Sequence, residues 1–186
     1  MQKARYFLVL SFAFLFLTAC KNNNEDDNLT IISDDNFYKS VGNTLIKTYV
    51  DIFNNVLDTM PVGNINVNVN IFGGSVVISG TDGYDTTTHV TTTDLIFNMS
   101  DIKYIYVYND GSNSWSTEVT LNGETTYKGN FSSTAKDVTH HSDNLSIKGS
   151  VTYKENVRII DGQGTVDIAR KTNSTVVTIF GNTVTW

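Results

Sequence analysis

The sequence predicts an α+β fold that is mainly β: one long N-terminal amphipathic helix packed on a twisted antiparallel sheet, arranged as a half-open barrel or a meander. Three observations predict it. Apolar residues recur at three- and four-residue steps from Phe37 to Met60, the period of a helix with one greasy stripe. The segment "NINVNVNIF" alternates without fault, the period of a half-buried strand. The chain holds 25 threonines and one proline, so β-branched side chains suited to pleated surfaces abound and little interrupts a ladder.

The helix comes first, from Asp35 to Met60. Phe37, Val41, Leu45, Tyr49, Ile52, Phe53, Val56, Leu57 and Met60 form its stripe over roughly seven turns. Ser33, Asp34 or Asp35 can cap it and offer negative charge to its dipole. Ile32 can staple onto its first turns. Pro61 and Gly63 end it. Gly42 inside it costs about 1 kcal/mol relative to alanine, which marks a kink or close packing.

Everything after Gly63 reads as strand. Ile65, Val67, Val69 and Ile71 share one face and Asn64, Asn66, Asn68 and Asn70 the other. Gly73-Gly74 turns the chain, "SVVISG" returns, and "TDGYD" makes the next turn. "TTTHVTTTDLIFNM" and "IKYIYVY" follow as two strands, with His89 a surface residue of the first. "NDGSNS" reads as a hairpin loop, its Asp110-Gly111 suited to positive φ. Further strands are "WSTEVTLNGETTYKG", "LSIKGSVTYKENVRII", "GTVDIAR" and "STVVTIFGNTVTW". "LNGETTYKGN" and "IKGSVTYKEN" echo each other 26 residues apart, as equivalent strands of one meander would. Residues 31–186 suit one domain.

The N-terminus carries the most specific signal. Lys3 and Arg5 precede an apolar run, Phe7 to Leu17, broken only by Ser11. That is a secretory signal, too short to span a bilayer stably. Leu17-Thr18-Ala19-Cys20 follows, and Cys20 is the only cysteine of the chain. With no partner, a disulfide within the monomer is excluded. The tetrapeptide resembles the lipobox of bacterial lipoproteins. The resemblance implies removal of residues 1–19 and acylation of Cys20, with palmitate-type chains anchoring the protein to the membrane. The alternative is a plain secretory peptide with an incidental cysteine. Residues 20–30 are a polar tether. Lys21 followed by Glu25-Asp26-Asp27 loosely resembles the export signal of surface-exposed lipoproteins of the Bacteroidetes; the alternative is a solvated spacer. The expected location is the bacterial cell envelope, at the outer membrane, either periplasmic or surface-exposed. The strands of the "LNG…Y.G" and "GSVTY" type, together with the lipobox and the single helix, are similar to a class of uncharacterised bacterial lipoproteins. The outline of helix on sheet also resembles periplasmic carriers that shuttle lipids.

Cleavage before Cys20 removes two of thirteen basic residues and none of nineteen acidic ones, leaving a net charge of −8. That argues against nucleic acid, which demands a basic face, and against electrostatic docking on anionic lipid. The membrane is met through acyl chains on Cys20; the remaining partner is an envelope protein, a glycan or a lipid.

Motifs for chemistry are few. The chain has no Gly-Xaa-Ser-Xaa-Gly elbow, no phosphate loop and no His-Glu-Xaa-Xaa-His, and no cofactor motif. The nearest thing to a metal cluster is Asp137, His140, His141 and Asp143 in "KDVTHHSD". Adjacent histidines on a strand point to opposite faces, however, and the plainer reading is an exposed loop without metal. Asp82, Asp85, Asp110 and Asp161 neighbour glycine or polar turns and read as turn chemistry. Asn98, Asn130, Asn144 and Asn173 head Asn-Xaa-Ser/Thr triplets that an Asn- and Thr-rich composition explains. Tyr104, Tyr106 and Tyr108 share one strand face and Ile105 and Val107 the other. Either the tyrosines form an exposed ladder for a glycan or protein, or one face meets the helix and the other is covered by strands or loops.

Three functional classes follow. A non-enzymatic envelope lipoprotein, a structural or interaction module, is the leading one. A carrier of a lipid or other apolar ligand needs a cavity between helix and sheet, lined by Phe37, Leu45, Tyr49 and Phe53. An enzyme needs polar groups converging in a cleft, with His140 at its centre.

Overall fold

The computed structural model describes residues 32–57 and 62–186, without the side chain of Asp110. The signal segment, Cys20, the tether, Met60 and Pro61 lie outside the described residues. The fold is mainly β. Among the described residues, eight strands form one antiparallel sheet in strict sequence order: β1 (Gly63–Ile71), β2 (Gly74–Asp85), β3 (Val90–Asp110), β4 (Asn113–Phe131), β5 (Lys136–Tyr153), β6 (Asn156–Lys171), β7 (Ser174–Ile179) and β8 (Asn182–Thr185). The sheet is a meander that stays open. One helix, α1 (Asp34–Ile52), crosses its inner face and contacts β3 through β8.

The helix starts as its sequence dictates. Ser33 is the N-cap, its side-chain oxygen accepting from the Asn36 N–H at 3.4 Å, and Asp34 and Asp35 fill the first turn. Phe37, Val41, Leu45, Tyr49 and Ile52 are buried. The α-helix is shorter than its apolar period implies, because from Phe53 to Leu57 it widens into a π-helical turn. Gly42 marks close packing rather than a kink. A Cβ placed there would stand 3.0 Å from Val177 Cγ1 and 3.1 Å from the Trp186 ring, so the helix is drawn tight against β7 and the last residue.

The strands differ from their sequence reading in an instructive way. "TDGYD" does not turn the chain: it is the end of β2, and the reversal comes at residues 86–89. There the Asp85 carboxylate accepts from the N–H groups of Thr87 and Thr88 at 2.7 and 3.2 Å, and His89 sits in the turn at φ 55 rather than in a strand. The two segments "TTTHVTTTDLIFNM" and "IKYIYVY" are one strand of 21 residues, β3. A bulge between Met99 and Ile102 shifts its register against β4. The inward-facing set therefore changes from Leu95, Phe97 and Met99 to Ile102 and Tyr104, an even step replacing an odd one. β5 does the same between Ser142 and Leu145. "KDVTHHSD" is thus no loop but the first half of β5. The two echoing decapeptides do not occupy equivalent places: Leu121 pairs with Ile147 on an antiparallel neighbour, and the second copy runs on through the β5–β6 turn. The register shifts fall on successive strand pairs, β3–β4, β4–β5 and β5–β6, and bulges are the device by which a sheet acquires curvature.

Candidate functional site

The inner face of the sheet carries an aromatic cluster that leads from the core to its rim. His140 of β5 pairs in register with Tyr127 of β4 on one side and Ile168 of β6 on the other. Its imidazole is stacked between two rings: Tyr49 of α1 at 4.5 Å and 22°, and Tyr127 at 4.5 Å and 5°. Phe97 lies against both tyrosines. Among the described residues neither imidazole nitrogen has a hydrogen-bond partner. Burial, helped by the Arg170 cation, pushes the His140 pKa down to about 3, so the ring is neutral. Tyr49 is buried and meets Thr125 Oγ1 at 3.1 Å; burial raises its pKa to about 12. Replacing it, Tyr49→Phe, keeps the stack and removes one buried hydrogen bond, so urea titration should show a loss of about 1 kcal/mol.

Towards the end of the helix the cluster opens. Phe53 packs edge-on to Tyr127 at 5.9 Å and to Phe131 at 5.5 Å. These three rings, with Val138, Lys136 and Arg170, line a pocket of about 150 Å³ between helix and sheet. Phe131 and Lys136 also line an adjoining groove of about 560 Å³ on the side of Lys171. Arg170 follows Val166 and Ile168 on the inward alternation of β6 and is half-buried. Burial lowers its pKa. Among the described residues neither Arg170 nor the Lys136 ammonium has a side-chain hydrogen bond or a carboxylate at ion-pair distance.

The residues singled out from sequence are distributed as follows. Phe37, Leu45 and Tyr49 are close-packed core residues, and Phe53 lines the pocket. His140 faces inward while its neighbour His141 faces outward. His141 Nδ1 lies 2.6 Å from Asp167 and Nε2 3.2 Å from Asp143, an exposed group in which hydrogen bonding to Asp167, above all, raises the histidine pKa. Asp137 shares that outer face, and no cluster of three ligand residues among the described residues is arranged to hold a metal ion. The tyrosines of β3 turn towards the helix: the Tyr104 hydroxyl donates to the Asp51 carboxylate, and Lys39 lies 5.4 Å over the Tyr108 ring. The aliphatic face is the uncovered one, with Ile105 63% and Val107 48% exposed. In register across β4 and β5 stand Ile159, 67% exposed, and Val157, 59% exposed.

Sequence reasoning passed over Lys136, Arg170 and Phe131. The signal for Arg170 was present, a cation at an apolar beat of "VDIAR". The Phe131 and Lys136 pairing across the β4–β5 turn carried none. The chain matches no protein-family model, and no curated protein or solved structure matches it significantly.

Proposed function

We propose that the chain is a bacterial cell-envelope lipoprotein, held on the outer membrane by acyl chains on Cys20, whose folded domain is a non-enzymatic interaction module. The observation that carries the reading is Leu17-Thr18-Ala19-Cys20 at the end of a basic-then-apolar leader. Each buried CH₂ contributes roughly 0.8 kcal/mol, so two or more chains make a lasting anchor. The folded domain supports the non-catalytic half of the reading. His140 is sealed between two rings, and the acidic partners of His141 stand in water on the outer face. In a bacterial host given an alkyne-tagged palmitate analogue, the wild-type chain should label and sediment with membranes. Cys20→Ser should do neither, and an unlabelled Cys20→Ser chain that still sediments fully would sink the anchor.

A second reading, a carrier of a small apolar ligand, is favoured by the pocket beside Phe53. It is narrower than a cavity under the whole helix, because Phe37, Leu45 and Tyr49 are packed.

A further inference from the structure

We infer that the pocket between the end of the helix and strands β4–β6 takes a small apolar carboxylate, an aryl or short alkyl acid. The inference deepens the carrier reading and rests on it. Size sets the first limit: about 150 Å³ is the volume that accommodates one six-membered ring. The walls agree. Phe53 presents itself edge-to-face to Phe131 and Tyr127, at 80° and 89°, and a ligand ring can extend the same herringbone. Val138 adds a buried aliphatic side.

Charge then selects the ligand. This chain has an excess of six negative charges, yet the two cations at the pocket have no carboxylate partner among the described residues. Several other cations of the domain do find acids, Lys47 with Asp51, Lys128 with Asp94 and Arg158 with Asp34, but those lie outside the pocket. A guanidinium drawn half out of water against aromatic rings has lost hydration without a compensating acceptor. A carboxylate supplies two acceptors in the spacing of the guanidinium fork, with the exposed Lys136 at the rim as a second positive charge. The Tyr127 hydroxyl, which makes no hydrogen bond of its own among the described residues, is a further donor. A cation or metal would be repelled by the same groups. The adjoining groove shares Phe131 and Lys136 and gives the ligand its way in.

The test is ligand-observed ¹⁹F NMR on the full chain in lipid nanodiscs, with empty nanodiscs as blank. The probes are 4-fluorophenylacetate and its neutral amide, equal in size and different in charge. The carboxylate should bind saturably and the amide at least about tenfold more weakly, as expected for loss of a charge-assisted pair. Arg170→Gln should bring the carboxylate down to the level of the amide. Lys136→Gln, on the exposed rim, should narrow the gap by a few-fold, and it carries the comparison if Arg170→Gln does not fold by near-UV circular dichroism. Equal binding of both probes would overturn the assignment of an acid and leave the carrier reading standing. Carboxylate preference that survives both substitutions would overturn the site. Saturable binding of neither probe would overturn the carrier reading as well.

Discussion

Acidification from pH 6.5 to 4.5 is expected to cost the fold about 2 to 3 kcal/mol through His140 alone. The ring is held neutral between Tyr49 and Tyr127, with its pKa near 3, against about 6.5 in an unfolded chain. The sign follows from proton binding. Above pH 6.5 neither state binds the proton and His140 adds no pH dependence. Below it the unfolded state gains a proton that the native state refuses, so stability falls by about 1.4 kcal/mol per pH unit until the native group titrates near pH 3. The groups facing the ring explain why no rescue is available: Tyr49 from the helix and Tyr127 from β4 are neutral, and Arg170 from β6 is a cation. The check is the urea midpoint of wild type and His140→Phe across this range. Carboxylates and His141 titrate in both proteins, so the difference between the curves isolates His140. The variant should also be the more stable at pH 7, since two buried nitrogens that have no partner among the described residues disappear. Parallel curves for the two proteins would mean that the imidazole reaches water or a partner.

Gly129→Ala should be among the most damaging glycine-to-alanine substitutions in the sheet, at about 3 kcal/mol or more. Two causes add. Gly129 lies at φ 137, in a region open to glycine and costly for any residue with a Cβ. A Cβ built there would stand 2.1 Å from the Asp137 carbonyl oxygen and 2.7 Å from Val138 Cα. Both are backbone atoms, and Gly129 is paired on both sides, with Thr93 and Val138, so neither neighbour can retreat without breaking a ladder. Gly83→Ala is the internal control. Its nearest obstacle is the Thr92 oxygen at 3.8 Å, and it should stay within about 0.5 kcal/mol of wild type. Urea midpoints compared at a common slope decide the matter; equal losses at the two positions would refute the steric account.

What could be read from the sequence was whatever depends on uninterrupted periodicity. The helix stripe, the Ser33 cap and the Asn/Ile/Val alternation of β1 all appear where their spacing places them. The errors gather where periodicity is broken by a backbone device that leaves no residue signature. At the bulge after Met99 the inward set changes from odd to even positions, so one long strand reads as two. Asp82-Gly83 has turn chemistry, but the β2–β3 ladder continues past it to Asp85 and Val90. His140 and His141 were separable onto opposite faces by parity. Which face was the core was not, because it depends on a second bulge, between Ser142 and Leu145, at the end of a segment that looked like a loop. The exposed Ile105 and Val107 show the same limit from the other side: alternation tells which residues travel together, and only the helix decides which set it covers.

The meander also has a consequence in time. Every strand pairs with the one made just before it, so most pairings close over short stretches of chain, which favours rapid, stepwise assembly. The exception is the helix, whose Gly42 rests on Val177 and Trp186. The first described element to be synthesised is therefore completed by the last. Until β7 and the final tryptophan arrive, one flank of the helix stands in water, and a chain interrupted before Ser174 carries an open apolar seam that quality-control proteases can recognise.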